Sequence, residues 1–178
     1  MVRREGPYRV ALLEKEKEAP PLPPLWHTFK ARLLDREFTF RHLPGVFSAG
    51  KVDPASLLLL EALKGEVGDL KGRSVLDLGA GYGALTLPLA HLGGEVTAVE
   101  DDWGSVLSLE ESLRANGLRA SVLHSDVDEA LTEGARFDII VTNPPFHVGG
   151  AVILDVAQAF VEAAAARLKP GGGFFSGG

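Results

Sequence analysis

The segment Ser74-Val75-Leu76-Asp77-Leu78-Gly79-Ala80-Gly81-Tyr82-Gly83-Ala84-Leu85-Thr86 restricts the fold more than any other part of the chain. Its first residues read as a short buried strand. The alternate glycines predict a tight turn with bare backbone. Leu85, Leu87, Leu89 and Leu92 then continue as a helix, with Pro88 in its first turns and a stop at Gly93-Gly94. Strand, glycine turn and helix in that order let a ligand approach the backbone at a helix N-terminus.

The pattern recurs. Glu95 to Asp102 reads as a second strand, followed by a helix carrying Val106, Leu107, Leu109 and Leu113 and ending at Asn116-Gly117. Ala120 to Asp126 is a third strand and Phe137 to Val141 a fourth. A helix from Ala151 to Arg167 is ended by Leu168 to Gly173, and Phe174-Phe175 begin a fifth strand. Strands alternating with helices predict an α/β, Rossmann-like fold, a mostly parallel sheet flanked by helices. In such sheets ligands bind outside the carboxyl ends of the strands. Asp77, Glu100 and Asp126 stand at three successive tips. Any one of them alone reads as a helix cap, but the succession reads as a ligand site. Glu100 is placed to accept from two ribose hydroxyls, Asp126 suits an adenine amine, and Asp77 can hold turn amides or a ligand ammonium. Gly79, Gly81 and Ala84, with Glu100 downstream, also fit a dinucleotide fingerprint. Asp77 two residues before the first glycine, together with Gly83, favours S-adenosylmethionine instead. The candidate cofactor-binding set is Phe47, Ser48, Asp77, Gly79, Ala80, Gly81, Tyr82, Glu100, Asp101, Asp126, Val127 and Asn143.

The fourth strand ends in Asn143-Pro144-Pro145-Phe146. Two prolines stop a strand because neither donates to a ladder. The residue before a proline is held extended, which fixes Asn143 at the strand end. Such a loop offers an amide, a free carbonyl and an aromatic face, a set that suits a planar group carrying an NH2. Asn143, Pro144 and Phe146 are therefore the candidate catalytic residues.

Residues 1–25 read as an N-terminal arm or linker. Within it Tyr8 to Leu13 is either a short strand or a helix start, Glu14 to Glu18 is a solvated face, and Ala19 to Pro24 is stiff. Residues 26–178 form one domain, with a hairpin and pocket loop over 26–50 and a Rossmann-like core over 51–178. The hairpin pairs His27–Leu34 with Glu37–His42 around Asp35-Arg36, placing Phe38 and Phe40 on one face. Lys30, Arg32 and Arg41 mark the other face, for solubility or for nucleic acid. Between Gly45 and Gly50, Phe47 and Ser48 are either filler or a pocket wall. Asp53 reads as an N-cap, Pro54 as the first helical residue, and Gly65 as the stop after about Lys64.

Net charge is −6, which argues against bulk nucleic-acid binding, yet the charge is uneven. Residues 1–51 hold ten basic and six acidic side chains, and the remainder eight and eighteen. A polyanion would therefore meet the N-terminal part. There is no cysteine, and the five histidines include no close pair, so no zinc-ligand pattern exists. No apolar run approaches the roughly 20 residues of a membrane span. A secretory leader is not legible, and the expected location is cytoplasmic.

The ordered set resembles class I S-adenosylmethionine-dependent methyltransferases. More narrowly, Pro44-Gly45-Val46-Phe47-Ser48, Lys51-Val52-Asp53 and Asn143-Pro144-Pro145-Phe146-His147 resemble the small-subunit ribosomal RNA guanine-N2 methyltransferase family, over roughly residues 26–175. The resemblance implies a cofactor site at Asp77, Gly79, Gly81, Glu100 and Asp126. It also implies an acceptor base at Asn143, Pro144 and Phe146, and an RNA partner met through Lys30, Arg32 and Arg41. Adenine amines and protein glutamine amides present the same planar NH2, and cofactor binding without catalysis is a further alternative. Relatives carry an additional N-terminal domain and a closing antiparallel hairpin after the fifth strand. The expectation is a sheet without those final strands, its edge covered by the N-terminal arm or by a second copy in a homodimer, or else a chain of only marginal stability.

Overall fold

Five parallel strands with helices on both faces form the body of the molecule. The computed structural model describes residues 2–6, 8–11, 14, 23–46, 50–144 and 151–177. The first elements are the antiparallel pair β1 (Val2–Glu5) and β2 (Tyr8–Ala11), so Tyr8 starts a strand and not a helix. A second antiparallel pair comes next, β3 (His27–Leu33) and β4 (Arg36–His42). Its turn is Leu34-Asp35, one residue earlier than the charged dipeptide suggested, because Arg36 pairs with Leu33 as a strand residue. The remaining elements are α1 (Pro54–Val67), β5 (Ser74–Leu78), α2 (Thr86–His91), β6 (Glu95–Glu100), α3 (Trp103–Asn116), β7 (Ser121–His124), β8 (Phe137–Thr142), α4 (Ala151–Arg167) and β9 (Leu168–Ser176).

The sheet order is β7-β6-β5-β8-β9. The chain winds outward from β5 and then returns to β8 on its other side, so the order reverses between β5 and β8. A crevice opens at such a switch point. The buried strands alternate between two cores. Val75, Ala98, Ile139 and Val141 pack with α1, α2, α3 and the β3–β4 hairpin. Leu76, Leu78, Val99 and Ile140 pack with Phe160, Ala163 and Ala164 of α4. Burial on both faces explains why these strands read as continuous apolar runs. Phe38 and Phe40 are fully buried, as their shared face predicts, and each such side chain is worth about 1.5–3 kcal/mol.

Three boundaries differ from the sequence reading. Gly65 lies inside α1, which runs on to Val67; the cap is Gly68 at φ 76°. The third strand is Ser121–His124, shorter than Ala120 to Asp126. Leu168 to Gly173 is not a helix-ending turn but the start of β9. Leu168 stands opposite Phe137 and Gly173 opposite Ile139, so the intervening residues bulge from the ladder. Gly172 allows this: a Cβ there would lie 2.8 Å from the Asp138 carbonyl oxygen. Lys169 pins the bulge by donating to Asp138 Oδ2 at 2.9 Å, and with Ser74 it holds that carboxyl below the usual range.

The outer edge of β4 is covered by the side chains of a helix. Ser108 Oγ accepts from Leu43 N, Ser112 Oγ from Arg41 N, and Asn116 Oδ1 from Thr39 N, at 3.0–3.1 Å. Alternate residues of an edge strand point their N–H groups outward. Residues four apart on a helix share a face. The i, i+4, i+8 spacing of Ser108, Ser112 and Asn116 therefore meets the i, i−2, i−4 spacing of Leu43, Arg41 and Thr39. Asn116 Nδ2 also donates to the carbonyls of Thr39 and Ser112 at 2.7 Å. We expect Asn116→Ala to destabilise the fold by about 1–3 kcal/mol in urea denaturation. Glu110→Ala, on the exposed side of α3, should change it by less than about 0.5 kcal/mol. Equal effects from the two would contradict the edge-covering role.

Candidate active site

The turn after β5 is built from left-handed glycines. Gly79, Gly81 and Gly83 have φ of 70°, 55° and 100°. Two of them also admit close neighbours. A Cβ on Gly79 would lie 3.1 Å from the Phe160 ring, and one on Gly83 would collide with Leu109 and Leu87 at 2.5 and 2.6 Å. The turn is tied to β6 by the Gly79 and Ala80 amides, which donate to the Val99 carbonyl. Glu100 completes the link. Its Oε2 accepts from Gly81 N at 2.7 Å and its Oε1 from Asp102 N at 3.0 Å. Burial, and after it the neighbouring Asp101, raise the Glu100 carboxyl to about 7 in spite of those two donors. Asp102 caps α3 by accepting from Ser105 N at 2.7 Å.

A cavity of about 450 Å3 opens at the strand tips. That lies within the roughly 300–1,000 Å3 of ordinary ligand sites. Gly79, Gly81, Glu100, Asp101, Asp126, Val127, Asn143 and Pro144 all line it. A smaller space beside it, about 50 Å3, is lined by Ala80, Tyr82, Asp53 and Ser56, with Gly79, Gly81 and Asn143 shared between the two. The structure thus gathers sequence positions from 45 to 160 around one crevice. Val127 adopts φ 46°, an outlier for a β-branched residue. Strain of this kind is worth about 1–3 kcal/mol and collects at ligand clamps.

Asn143 is held by its side-chain amide. Its Nδ2 donates to Asp53 Oδ2 at 2.8 Å and to Ser56 Oγ at 2.9 Å. Asp53 sits at the N-cap position of α1 but makes no side-chain cap bond, so its carboxylate serves Asn143 and not the helix. Tyr82 holds the preceding segment, donating from its hydroxyl to the Lys51 carbonyl at 2.9 Å. Phe29 and Phe40 meet the Tyr82 ring edge-on at 5.7 and 5.4 Å. The hairpin therefore braces the loop that carries Asp53.

Two expectations need correction. Asp77 lines neither cavity. It is fully buried, its Oδ2 accepts from Thr86 Oγ1 at 2.6 Å, and its Oδ1 has no hydrogen-bond partner. A tightly packed strand end turned it inward, and desolvation raises it to about 7. Tyr82 lines the smaller space and packs in the core as well. Lys30, Arg32 and Arg41 do not form a bare basic face. Lys30 pairs with Glu37, Arg41 with Glu111 and the Trp26 ring, and Arg32 donates to the Asp35 carbonyl. Phe47, Ser48 and Phe146 lie outside the described residues. Sequence reasoning missed Phe160, although it is the single aromatic of an alanine-rich helix. It also missed Ser56, and it read Asp53 only as a cap.

Residues 37–176 match the methyltransferase small domain family. A Ribosomal RNA small subunit methyltransferase C of Chromohalobacter salexigens is 38% identical over 147 residues, which cover 83% of this chain and 42% of that protein. The protein of that name from Shewanella loihica is 41% identical over 140 residues, 78% of this chain and 39% of its own. The chain thus spans less than half the length of these curated relatives. A solved T. thermophilus 16S rRNA N2 G1207 methyltransferase (RsmC), in complex with AdoMet and guanosine, matches with a TM-score of 0.88 and 76% identity. The match covers 99% of this chain and 48% of that one.

The two buried acids set a pH dependence. Asp77 and Glu100 both have folded pKa values near 7, above ordinary values of 3.8 and 4.5. The folded state therefore binds more protons than the unfolded one between about pH 4 and 7, and stability falls as pH rises through that window. Asp77→Asn removes one such group. We expect the variant to gain at least about 1 kcal/mol relative to the native chain between pH 5 and pH 8, measured by urea denaturation at each pH. Parallel pH profiles would contradict the buried-acid assignment.

Proposed function

The chain belongs to the methyltransferase small domain family, and from that premise we propose that it transfers a methyl group from S-adenosylmethionine to the exocyclic amine of a nucleobase, guanine N2 in small-subunit ribosomal RNA. The observation that carries this reading is the fixed amide of Asn143 on the wall of a cavity that Glu100 and Asp126 also line. The fit to the cofactor rests on this donor set. Glu100 keeps unused lone pairs for ribose hydroxyls beyond its two backbone donors. Asp126 lines the same cavity and suits an adenine amine. The bare backbone of Gly79 and Gly81 allows close approach between them. S-adenosylmethionine, when bound, supplies a methyl group already activated on a sulfonium.

The acceptor side follows from elementary chemistry. A guanine amine is a poor nucleophile because its lone pair is delocalised into the ring. Asn143 Oδ1 and the Pro144 carbonyl accept its two protons, turn the lone pair out of conjugation and stabilise the positive charge that grows on nitrogen. Holding donor and acceptor in line supplies much of the remaining rate. The proton leaves after transfer, so no strong base is required. Phe146 offers a stacking face to a base flipped from its helix.

RNA is the proposed partner, met by the hairpin. The Lys30–Glu37 pair is exposed on both sides and the Arg41–Glu111 pair on one. Exposed pairs are worth only about 0–1 kcal/mol, so a phosphate competes for Lys30 and Arg41, and Arg32 stands exposed beside them. No described helix is long and apolar enough to cross a membrane. The outer edge of β9 has no partner strand among the described residues, and a second copy pairing there is part of the same proposal.

Calorimetry and single-turnover transfer test the division of labour. Glu100→Ala should weaken S-adenosylhomocysteine binding by about 1–3 kcal/mol. Asn143→Ala should leave that affinity nearly intact while lowering transfer roughly 100-fold. Tighter binding of NAD than of S-adenosylhomocysteine would overturn the cofactor assignment. Equal loss of affinity and rate in Asn143→Ala would make that residue structural.

A further inference from the structure

We propose that Asp53 is a positioning residue that decides which end of the Asn143 amide faces the acceptor, and so restricts transfer to acceptors that donate an N–H. The inference rests on the methyl-transfer reading above and deepens it. An asparagine amide has two ends of nearly the same shape and opposite hydrogen-bonding sense. With its oxygen toward the acceptor it receives an amine proton. Turned by 180° it presents NH2 to NH2, and the lone pair of the acceptor is not freed.

Two contacts choose between these states. Ser56 Oγ, at 2.9 Å, does not decide the matter alone, because a hydroxyl both donates and accepts. The Asp53 carboxylate, at 2.8 Å, only accepts, so the NH2 end must face it. No hydrogen bond joins Asn143 Oδ1 to any described residue, and Asn143 lines both cavities. The oxygen is therefore the end left for a ligand. Gly177 lies against that oxygen, and because a Cβ there would come within 2.6 Å of Oδ1, only a glycine leaves the oxygen uncovered. Gly177 is held there by its own N–H, which donates to the Thr142 carbonyl at 2.9 Å.

The local sequence shows what Asp53 gives up. It has the extended backbone of an N-cap, φ −65° and ψ 134°, ahead of Pro54. A carboxylate there ordinarily accepts from the first-turn amides of its own helix. In this chain it makes no such bond and reaches 90 residues along the sequence to Asn143. Tyr82, by holding the Lys51 carbonyl, fixes the segment from which it reaches.

Three variants of the full chain test the assignment with S-adenosylmethionine and small-subunit RNA. Asp53→Asn can present either end of its own amide, so the lock is lost; kcat should fall about 10- to 100-fold, as for one oriented partner, with the RNA KM and S-adenosylhomocysteine affinity unchanged. Asn143→Asp sets two carboxylates face to face and should lose at least as much. The double variant D53N/N143D restores the donor–acceptor pair with its polarity exchanged. The amide now at position 53 donates, and the carboxylate now at position 143 turns an oxygen to the amine, so the rate should recover to within about tenfold of the native chain. A cap or packing role predicts instead a harmless Asp53→Asn, since Asn caps as well as Asp, and a double variant no better than Asn143→Asp; that result overturns the proposal. A second readout does not depend on activity. The Asn143 side-chain amide protons, followed by NMR, should exchange slowly in the native chain and faster in Asp53→Asn, and equal exchange also overturns it. A native chain that binds S-adenosylhomocysteine but labels no amine would defeat the methyl-transfer reading instead, leaving the exchange comparison to judge the orientation lock alone.

Discussion

The Glu100 carboxylate is the contact on which the arrangement of the site depends. By accepting from Gly81 N and Asp102 N it fastens the glycine turn after β5 to the tip of β6 and the start of α3. Helix α3, once placed, lends Ser108, Ser112 and Asn116 to the outer edge of β4. The hairpin so held presses Phe29 and Phe40 against Tyr82. Tyr82 holds the Lys51 carbonyl, and two residues later Asp53 holds Asn143. A polar contact at the tip of β6 is therefore connected, through packed aromatic rings, to the Asn143 amide at the tip of β8. The hairpin serves the site as a brace, whatever it does for RNA.

The site is assembled against local preference. Two acids are buried at raised pKa, and one oxygen of Asp77 has no hydrogen-bond partner. Val127 is left-handed, and Asp53 forgoes its cap. Each departure is worth on the order of 1 kcal/mol or more. They lie at or beside the cavities, while the strands beneath are packed on both faces. Functional sites are where agreement between local preference and global fold is expected to fail. The burial of Leu76, Leu78, Ile139 and Ile140 offsets what the crevice gives up.

Much of this was legible in the sequence, for reasons that also mark where reading stops. The succession of strands and helices along the chain follows from local apolar runs and glycines, so β5 to β8 fall close to their expected places. Glu100, Asp126 and Asn143 could be placed because strand tips in a parallel sheet share one edge. The partners of Asn143 could not, because Asp53 and Ser56 lie 90 and 87 residues away, and a local capping pattern offered Asp53 a sufficient alternative. Asp77 was misread because a strand-end acid looks the same in sequence whether it turns toward the crevice or into the core. The serine stripe of α3 was hidden by the apolar residues beside it. Gly65 and the glycines of β9 misled because a glycine signals freedom, and only the packing decides whether a helix stops or a strand bulges.

In the proposed reaction the oxygen of a locked amide draws in an exocyclic amine and readies it for methylation. Transfer of tritiated methyl from S-adenosylmethionine to two small-subunit RNA fragments tests this most directly, one containing guanosine and the other inosine, which lacks the amine but keeps the ring. We expect label in the guanosine fragment, recovered at the base amine after digestion, and none above background with inosine. Equal labelling of the two, or label on a ring nitrogen or ribose, would contradict it.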